Sequence, residues 1–187
     1  KMDFFTDADG LPQGFYSHAF KDSRGTLWFC SKEHDKLYYF EKGATHGKSI
    51  AEHPVMNSLK NVGVKSIYED SHHRLWIGLN SFGVSMFDPS TGYFETWWNN
   101  DKDPDRRPGD YIASMAEDST GVIWAGSRLG LYSYNFNEKK WIHHTEKNGF
   151  YNTKASCIQV DALNRLWIGT SKGLVMMDTT RLHSRLF

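Results

Sequence analysis

The chain has 187 residues, 22 Lys+Arg against 22 Asp+Glu, 39% hydrophobic residues and 15% aromatic residues. That is too apolar and aromatic for a disordered chain, and a formal net charge of zero offers no basic excess to meet the phosphates of a nucleic acid. No apolar run approaches the roughly 18 residues that would cross a bilayer, so no direct membrane contact is expected. The two cysteines, Cys30 and Cys157, make no disulfide framework.

The chain opens "KMDFF", with no initiator Met and no signal peptide, which reads as an excised segment or a mature chain. The stretch "MDFF" reads as an outer strand without partners ahead of it, so residues 1–10 are expected to belong to a preceding or closing unit. After "DGLP" comes "KDSRGTLWFCS", and this phrase returns as "EDSHHRLWIG", "EDSTGVIWAG" and "VDALNRLWIG". Asp22, Asp70, Asp118 and Asp161 stand six residues before Trp28, Trp76, Trp124 and Trp167, and the Trp-to-Trp spacings are 48, 48 and 43. A period of this length with one aromatic anchor marks propeller blades or similar arrays.

Inside each repeat the pattern is that of strands. "VKSIYED", "YIASMAED" and "ASCIQVD" supply an innermost strand a, and "RLWIG", "VIWAG" and "RLWIG" a strand b. "GVSMFD", "GLYSYN" and "GLVMMD" supply strand c, and "GYFETWW" and "KKWIHH" strand d. The expected fold is all-β: a β-propeller segment over 1–187 with about four blades of four antiparallel strands each. The approximate blades are 11–53, 57–99, 108–145 and 151–187. The last is expected to be incomplete, because "SRLF" stands where its strand d would begin. Either the N-terminal strand closes a small ring, or further blades lie on each side; a cut arc would also close by pairing with another copy.

The turn between strands a and b explains the Asp. Three residues before each Trp stand Gly25, His73, Gly121 and Asn164, types that tolerate positive φ. The Asp carboxylate is expected to accept backbone N–H groups across the turn, and the Trp to pack between blades. Asp22, Asp70, Asp118 and Asp161, with their four Trp partners, are therefore structural anchors.

These in-phase phrases, together with "DGLPQGFYSHAFKDSRGTLWF", resemble the two-component regulator propeller repeat over almost the whole chain. The pattern departs where blade one has Cys30 in place of Gly and Lys36 where the others have Gly83, Gly130 and Gly173, and where blade four has Leu163-Asn164 for Ser-x-Gly. The resemblance implies an arc of a larger, seven-bladed type of propeller. It implies the periplasmic sensor region of a hybrid two-component histidine kinase of Bacteroidetes-type bacteria, one that detects glycan fragments. Kinase, receiver and DNA-binding parts would then lie outside this chain, which carries no kinase signature.

In such an architecture the d–a and b–c connections share one face and the tight turns the other. Candidate binding residues are sought on the first, because a scaffold fixes loops while leaving their sequence free. The connections considered there are 31–36, 43–63, 99–110 and 148–152. "WWNNDKDPDRRPGDY" offers Trp98 and Tyr111 to stack on sugar rings and Arg106 and Arg107 to hold a carboxylate or sulfate. Phe82, Arg128 and Lys172 occupy equivalent b–c positions. The alternative is that one of Trp97 and Trp98, at the end of a strand d, packs against the next blade and that "DKDPDRRPGD" is a solvated, Pro-punctuated loop. The adjacent pairs His72-His73 and His143-His144 make no chelate, because neighbours on a strand face opposite sides; no metal site and no cofactor are expected. The partners expected are an oligosaccharide and further blades or protomers of the parent sensor.

Two other functions compete. The "D-S-x-G-x-x-W" phrase is similar to the Asp-box of sialidases and some propeller hydrolases or lyases. Such an enzyme needs a carboxylate pair across the sugar, and the recurrent carboxylates here sit on the turn face, so this segment is expected not to be an enzyme. A non-catalytic scaffold that assembles through open blade edges is the third reading.

Overall fold

The computed structural model describes residues 6–32, 36–98, 108, 111–145, 150, 154–179 and 183–186. Among them, sixteen strands form four antiparallel sheets, each with its strands in chain order. Blade one holds β1 (Tyr16–Lys21), β2 (Leu27–Ser31), β3 (Lys36–Phe40) and β4 (Lys48–Ser49). Blade two holds β5 (Val64–Glu69), β6 (Leu75–Leu79), β7 (Val84–Asp88) and β8 (Tyr93–Trp97). Blade three holds β9 (Ser114–Glu117), β10 (Ile123–Ser127), β11 (Gly130–Asn135) and β12 (Lys140–His144). Blade four holds β13 (Ala155–Val160), β14 (Arg165–Thr170), β15 (Gly173–Asp178) and β16 (His183–Leu186). Each blade packs on the next through its innermost strand, and the first and fourth do not close into a ring. No helix among the described residues is long and apolar enough to cross a membrane.

Three expectations change. Asp7–Asp9 forms a 3-10 turn rather than part of an outer strand, held by a capping box between Thr6 and Asp9; residues 1–5 lie outside the described residues. Blade four has its outer strand after all, since β16 pairs with β15 from Asp178 opposite His183 to Val175 opposite Leu186. The connection 43–63 is not a plain loop on the connection face. Strand β4 is two residues long, and the chain then runs through 3-10 turns at Ile50–Glu52 and Met56–Asn61. Ile50, Met56 and Leu59 are fully buried between blades one and two, where apolar side chains gain most by leaving water.

The four a–b turns are one structure repeated. Each Asp N–H donates to the carbonyl four residues on, and the residue three on donates back to the Asp carbonyl, as in His73 N to Asp70 O at 2.9 Å. That residue takes positive φ in all four turns: Gly25 (89°), His73 (62°), Gly121 (83°) and Asn164 (60°). The carboxylate divides its work. Oδ1 accepts turn N–H groups, such as Arg74 N at 2.9 Å and Arg165 N at 2.9 Å. Oδ2 accepts the indole N–H: Trp28 at 3.1 Å and Trp76, Trp124 and Trp167 at 2.8 Å. The sequence spacing foresaw the turn bonds but not the indole bond.

Three anchors do pack between blades: Trp28, Trp76 and Trp124 are 3%, 0% and 2% exposed. Trp167 is only partly buried, on the face of blade four that has no described neighbour. Two residues past the Trp the chain comes close to its neighbours. A Cβ on Gly78 would press on Ser66 Oγ and, at 2.8 Å, on the Ile112 carbonyl of the next blade's lead-in. Blade one accepts Cys30 there in a fully buried place, and burial pushes that thiol up to about 12.

A second contact ties blade to blade. Glu69 of blade two accepts Ser23 N and Ser23 Oγ of blade one, both at 2.7 Å. Glu117 of blade three accepts Ser71 N at 2.6 Å and Ser71 Oγ at 2.8 Å. Blade four has Val160 at this position, and Asn164 Oδ1 accepts Ser119 N at 2.7 Å instead.

The ring that faces each anchor Trp varies. Trp97 stacks on Trp76 at 5.7 Å and 12°, His144 lies 4.9 Å from Trp124, and His53 from the connection lies 6.4 Å from Trp28. His144 is buried with Nε2 2.7 Å from Ser133 Oγ. Burial, aided by the neighbouring His143, pushes its pKa down to about 4.

Asp70→Ala removes an acceptor for two turn N–H groups, the indole and the Arg74 guanidinium at a residue 3% exposed. The expected loss in urea unfolding is about 4 kcal/mol, from donors left unsatisfied in the interior. Asp161→Ala, at the half-covered end, should cost clearly less. In a double-mutant cycle, Ser71→Ala and Glu117→Ala should couple by about 1.5 kcal/mol, the worth of a charge-assisted bond pair; additive losses would remove the clamp as an energetic link.

The His144 imidazole titrates near its ordinary 6.5 when unfolded and at about 4 when folded. The unfolded state therefore binds the extra proton between those values. Stability should be complete above pH 6.5 and fall as pH drops toward 4, by up to about 3 kcal/mol. Melting temperatures at pH 7 and pH 4.5 measure this, and His144→Phe should flatten the difference.

Candidate functional site

The d–a and b–c connections do share a face, and the repeat's own carboxylates are on the other. On the turn face a cleft of about 390 Å³ is bordered by the a–b turn residues His72, Thr120 and Gly121 and the c–d residues Asn135 and Asn137. Its arginine is already engaged: Arg74 donates to Asp70 at 2.6 Å and lies 3.8 Å from the Phe136 ring centroid. A cleft of about 640 Å³, bordered by Leu11, Pro12, Tyr16, Ala19 and Phe29, lies on the uncovered face of blade one, where a preceding blade would pack. Neither coincides with the connection face.

On that face the structure groups some of the sequence candidates. Phe82, in the β6–β7 turn, meets Trp98, just beyond β8, edge to face at 5.6 Å and 80°. Both rings stay exposed, at 47% and 43%, while the adjacent Trp97 is buried on Trp76. One ring of the pair thus packs inward, as the alternative reading expected, and the other stays exposed on the connection face. Gly83 makes the approach feasible: its φ is +90°, and a Cβ there would meet the Trp97 and Pro108 carbonyls.

Tyr111 leads into blade three, and the backbone holds it. Its N–H donates to Asn80 O at 3.1 Å, and the next N–H, of the fully buried Ile112, donates to Leu79 O at 3.1 Å. The Arg128 guanidinium lies 4.3 Å from the Tyr111 ring centroid. The turn that carries Arg128 is closed by Ser127, whose Oγ accepts Leu129 N at 2.9 Å and donates to Gly130 O at 3.2 Å. On the same ring, 5.9 Å from its centroid, lies Lys65 Nζ from β5. The sequence reading missed Lys65, because nothing in strand a's alternation marks a side chain that reaches the loop face.

Lys172 is exposed in the β14–β15 turn, with its N–H on Thr170 Oγ1 at 3.1 Å, and is not brought to the others among the described residues. Arg106 and Arg107 lie outside the described residues. Among the described residues no three His, Cys, Asp or Glu side chains gather as metal ligands would. His143 and His144, neighbours on β12, face opposite sides: His143 stacks on Tyr132 at 4.4 Å and His144 turns inward to Trp124, whereas His72 and His73 lie in the a–b turn of blade two. Cys30 and Cys157 are both free thiols.

A sequence model of the family described as the two component regulator propeller matches residues 58–81, which run through the lead-in, β5 and β6 of blade two. Among solved structures, one similar fold is the extracellular domain of a protein described as a hybrid two component system from B. thetaiotaomicron. It has 15% identity and a TM-score of 0.80, over 99% of this chain and 26% of that one. A second extracellular domain of that description, also from B. thetaiotaomicron, has 24% identity and a TM-score of 0.71, over 92% of this chain and 22% of that one. Virginiamycin B lyase from Staphylococcus aureus has 14% identity and a TM-score of 0.66, over 90% of this chain and 54% of that one. At these identities the likeness is one of fold. The chain spans about a quarter of the length of the first two. A search of curated proteins returns no significant match.

Proposed function

We propose that this chain is a ligand-sensing propeller segment from the extracytoplasmic, periplasmic part of a hybrid two-component sensor. It detects glycan fragments, and the signal passes to a histidine kinase outside this chain. The observation that carries the reading is the pair of half-exposed rings, Phe82 and Trp98, set edge to face on the connection face, where the Tyr111 N–H donates to Asn80 two residues before Phe82. Exposed, backbone-fixed aromatics suit the apolar faces of sugar rings, and rigid placement lowers the ordering cost of binding. The repeat family matched at 58–81 and the fold shared with extracellular domains of B. thetaiotaomicron support the cellular setting.

In this reading the segment does no chemistry of its own. The recurrent carboxylates are committed elsewhere: the Asp residues to turns and indoles, Glu69 and Glu117 to the serines of the preceding blade. Further blades or protomers of the parent sensor cover the two outer faces. The blades act as a lever, so a ligand on the connection face changes the pose of one rigid part against another.

The test is a calorimetric and array screen of this chain against oligosaccharides, alongside a Phe82→Ser/Trp98→Ser double variant. At least one glycan class should bind, and the double variant should lose tenfold or more in affinity with an unchanged melting temperature. Binding by no glycan, or binding indifferent to both rings, refutes the reading. Turnover of a bound sugar would favour the hydrolase or lyase alternative instead.

A further inference from the structure

We propose that the joint between blades one and two carries a second ligand site, on the turn face, for a phenol: one aromatic ring with an oxygen on it. The ring packs on Trp28 beneath the Arg24 guanidinium, and the oxygen accepts from His53 Nε2. The site lies on the face opposite the connections and does not depend on a glycan held there.

Three observations converge on this joint. First, it lacks a ring that the next joint supplies. Between blades two and three, Phe136, just after β11, sets its ring on Trp76 at 5.7 Å and 77°. Arg74, two residues before that Trp, lays its guanidinium 3.8 Å from the Phe136 centroid. Both border the 390 Å³ cleft there, and Trp76 does not. Between blades one and two the corresponding residues are Pro89, just after β7, and Thr26, two before Trp28. Both are smaller, and a cleft of about 370 Å³ goes down between them to Trp28 and His53. That volume is within the range of small-molecule sites. Second, Arg24 has Arg74's carboxylate but not its ring. It donates to Asp22 Oδ2 at 3.4 Å with its side chain 40% exposed, and among the described residues no ring lies against it. A guanidinium bonds in its plane and stacks on its faces, so it can hold both partners at once, as Arg74 does. Third, His53 brings a fixed donor. Its Nδ1 accepts Val55 N at 3.2 Å and Met56 N at 3.1 Å, so the ring proton is on Nε2. Tyr39 and Phe87 hold the imidazole edge to face, at 5.6 and 5.2 Å. Among the described residues Nε2 meets no acceptor. A phenol answers all three, with a ring for the indole and the guanidinium and an oxygen for the imidazole N–H. A bare arene lacks the oxygen, and an aliphatic alcohol lacks the π face.

The experiment titrates the full chain with 4-methylphenol, toluene and 4-methylcyclohexanol, following the indole N–H signals by NMR. 4-Methylphenol should saturate the Trp28 signal with a Kd of about 1 mM or below, and each of the other two should bind at least fivefold more weakly. The variant Thr26→Arg/Pro89→Phe gives this joint the residues of the next one. It should lose the binding and melt no lower than the parent. Arg24→Gln changes an exposed side chain, so its fold is not at risk, and it should weaken 4-methylphenol several-fold. The Phe82→Ser/Trp98→Ser variant should bind 4-methylphenol as the parent does, which separates this site from the glycan reading: either can fail alone. No saturable binding of 4-methylphenol overturns the proposal. So does equal binding of 4-methylcyclohexanol, which removes the role of the ring, or of toluene, which removes the bond from His53. Binding that survives both Thr26→Arg/Pro89→Phe and Arg24→Gln places the ligand elsewhere and overturns it as well.

Discussion

One hydrogen bond organises everything else: the donation of a Trp indole N–H to the carboxylate of an Asp six residues earlier. The carboxylate has two oxygens, and the fold uses them for different levels of structure. Oδ1 closes the a–b turn by satisfying its N–H groups. Oδ2 fixes the rotamer of a large side chain that must lie flat between two sheets. Local chain reversal and interblade packing therefore share one atom group, and neither is adjustable without the other. This explains why the turn exchanges Gly for His or Asn at its positive-φ position, while Asp and Trp stand unchanged in all four repeats. The indole is a donor only, and a buried indole without an acceptor would cost a full desolvation penalty.

A lateral bond complements this vertical one. The Glu before the Asp of one blade clamps the Ser after the Asp of the blade behind it. The clamp needs a Glu on the later blade and a Ser on the earlier. Blade one has Lys21 in the Glu position, and blade four has Ala162 in the Ser position. Each outer face thus lacks its half of the clamp, while both inner joints with Glu have both halves. Apolar side chains do stand at those faces: Trp167 is partly covered and Leu174 is 44% exposed on blade four, and Phe29 and Tyr16 are partly buried on blade one.

The consequence for function is a division of labour between faces. On the turn face, the repeat's carboxylates and three of its arginines are spent on each other. On the connection face, side chains come from positions the repeat leaves free, so chemistry can differ from blade to blade without cost to packing. Phe82, Trp98, Tyr111, Arg128 and Lys65 all belong to that free set. Their placement still depends on the repeat, because Gly83 and Ser127 shape the turns that carry them. Blade one shows the reverse trade. Its outer strand is short, and the connection that follows is drawn into the core by Ile50, Met56 and Leu59, so it gives the connection face little.

The sequence by itself determined the class of fold, the blade count, the strand order and the four anchors, because those follow from local alternation and from a phrase repeated at fixed spacing. It also marked Phe82, Trp98, Tyr111 and Arg128 as positions outside the repeat. Only the tertiary structure decided which of them meet. Phe82 reaches Trp98 across a sheet, and Arg128 and Lys65 reach Tyr111 from different blades, distances that no local pattern encodes. The same reason accounts for the Glu–Ser clamp, whose partners stand 46 residues apart, and for His53, which replaces an outer-strand aromatic from within an irregular connection. Periodicity is a property of one strand and its neighbours in the chain. Contacts between blades depend on how sheets stack, and there the identity of each pair is set by packing.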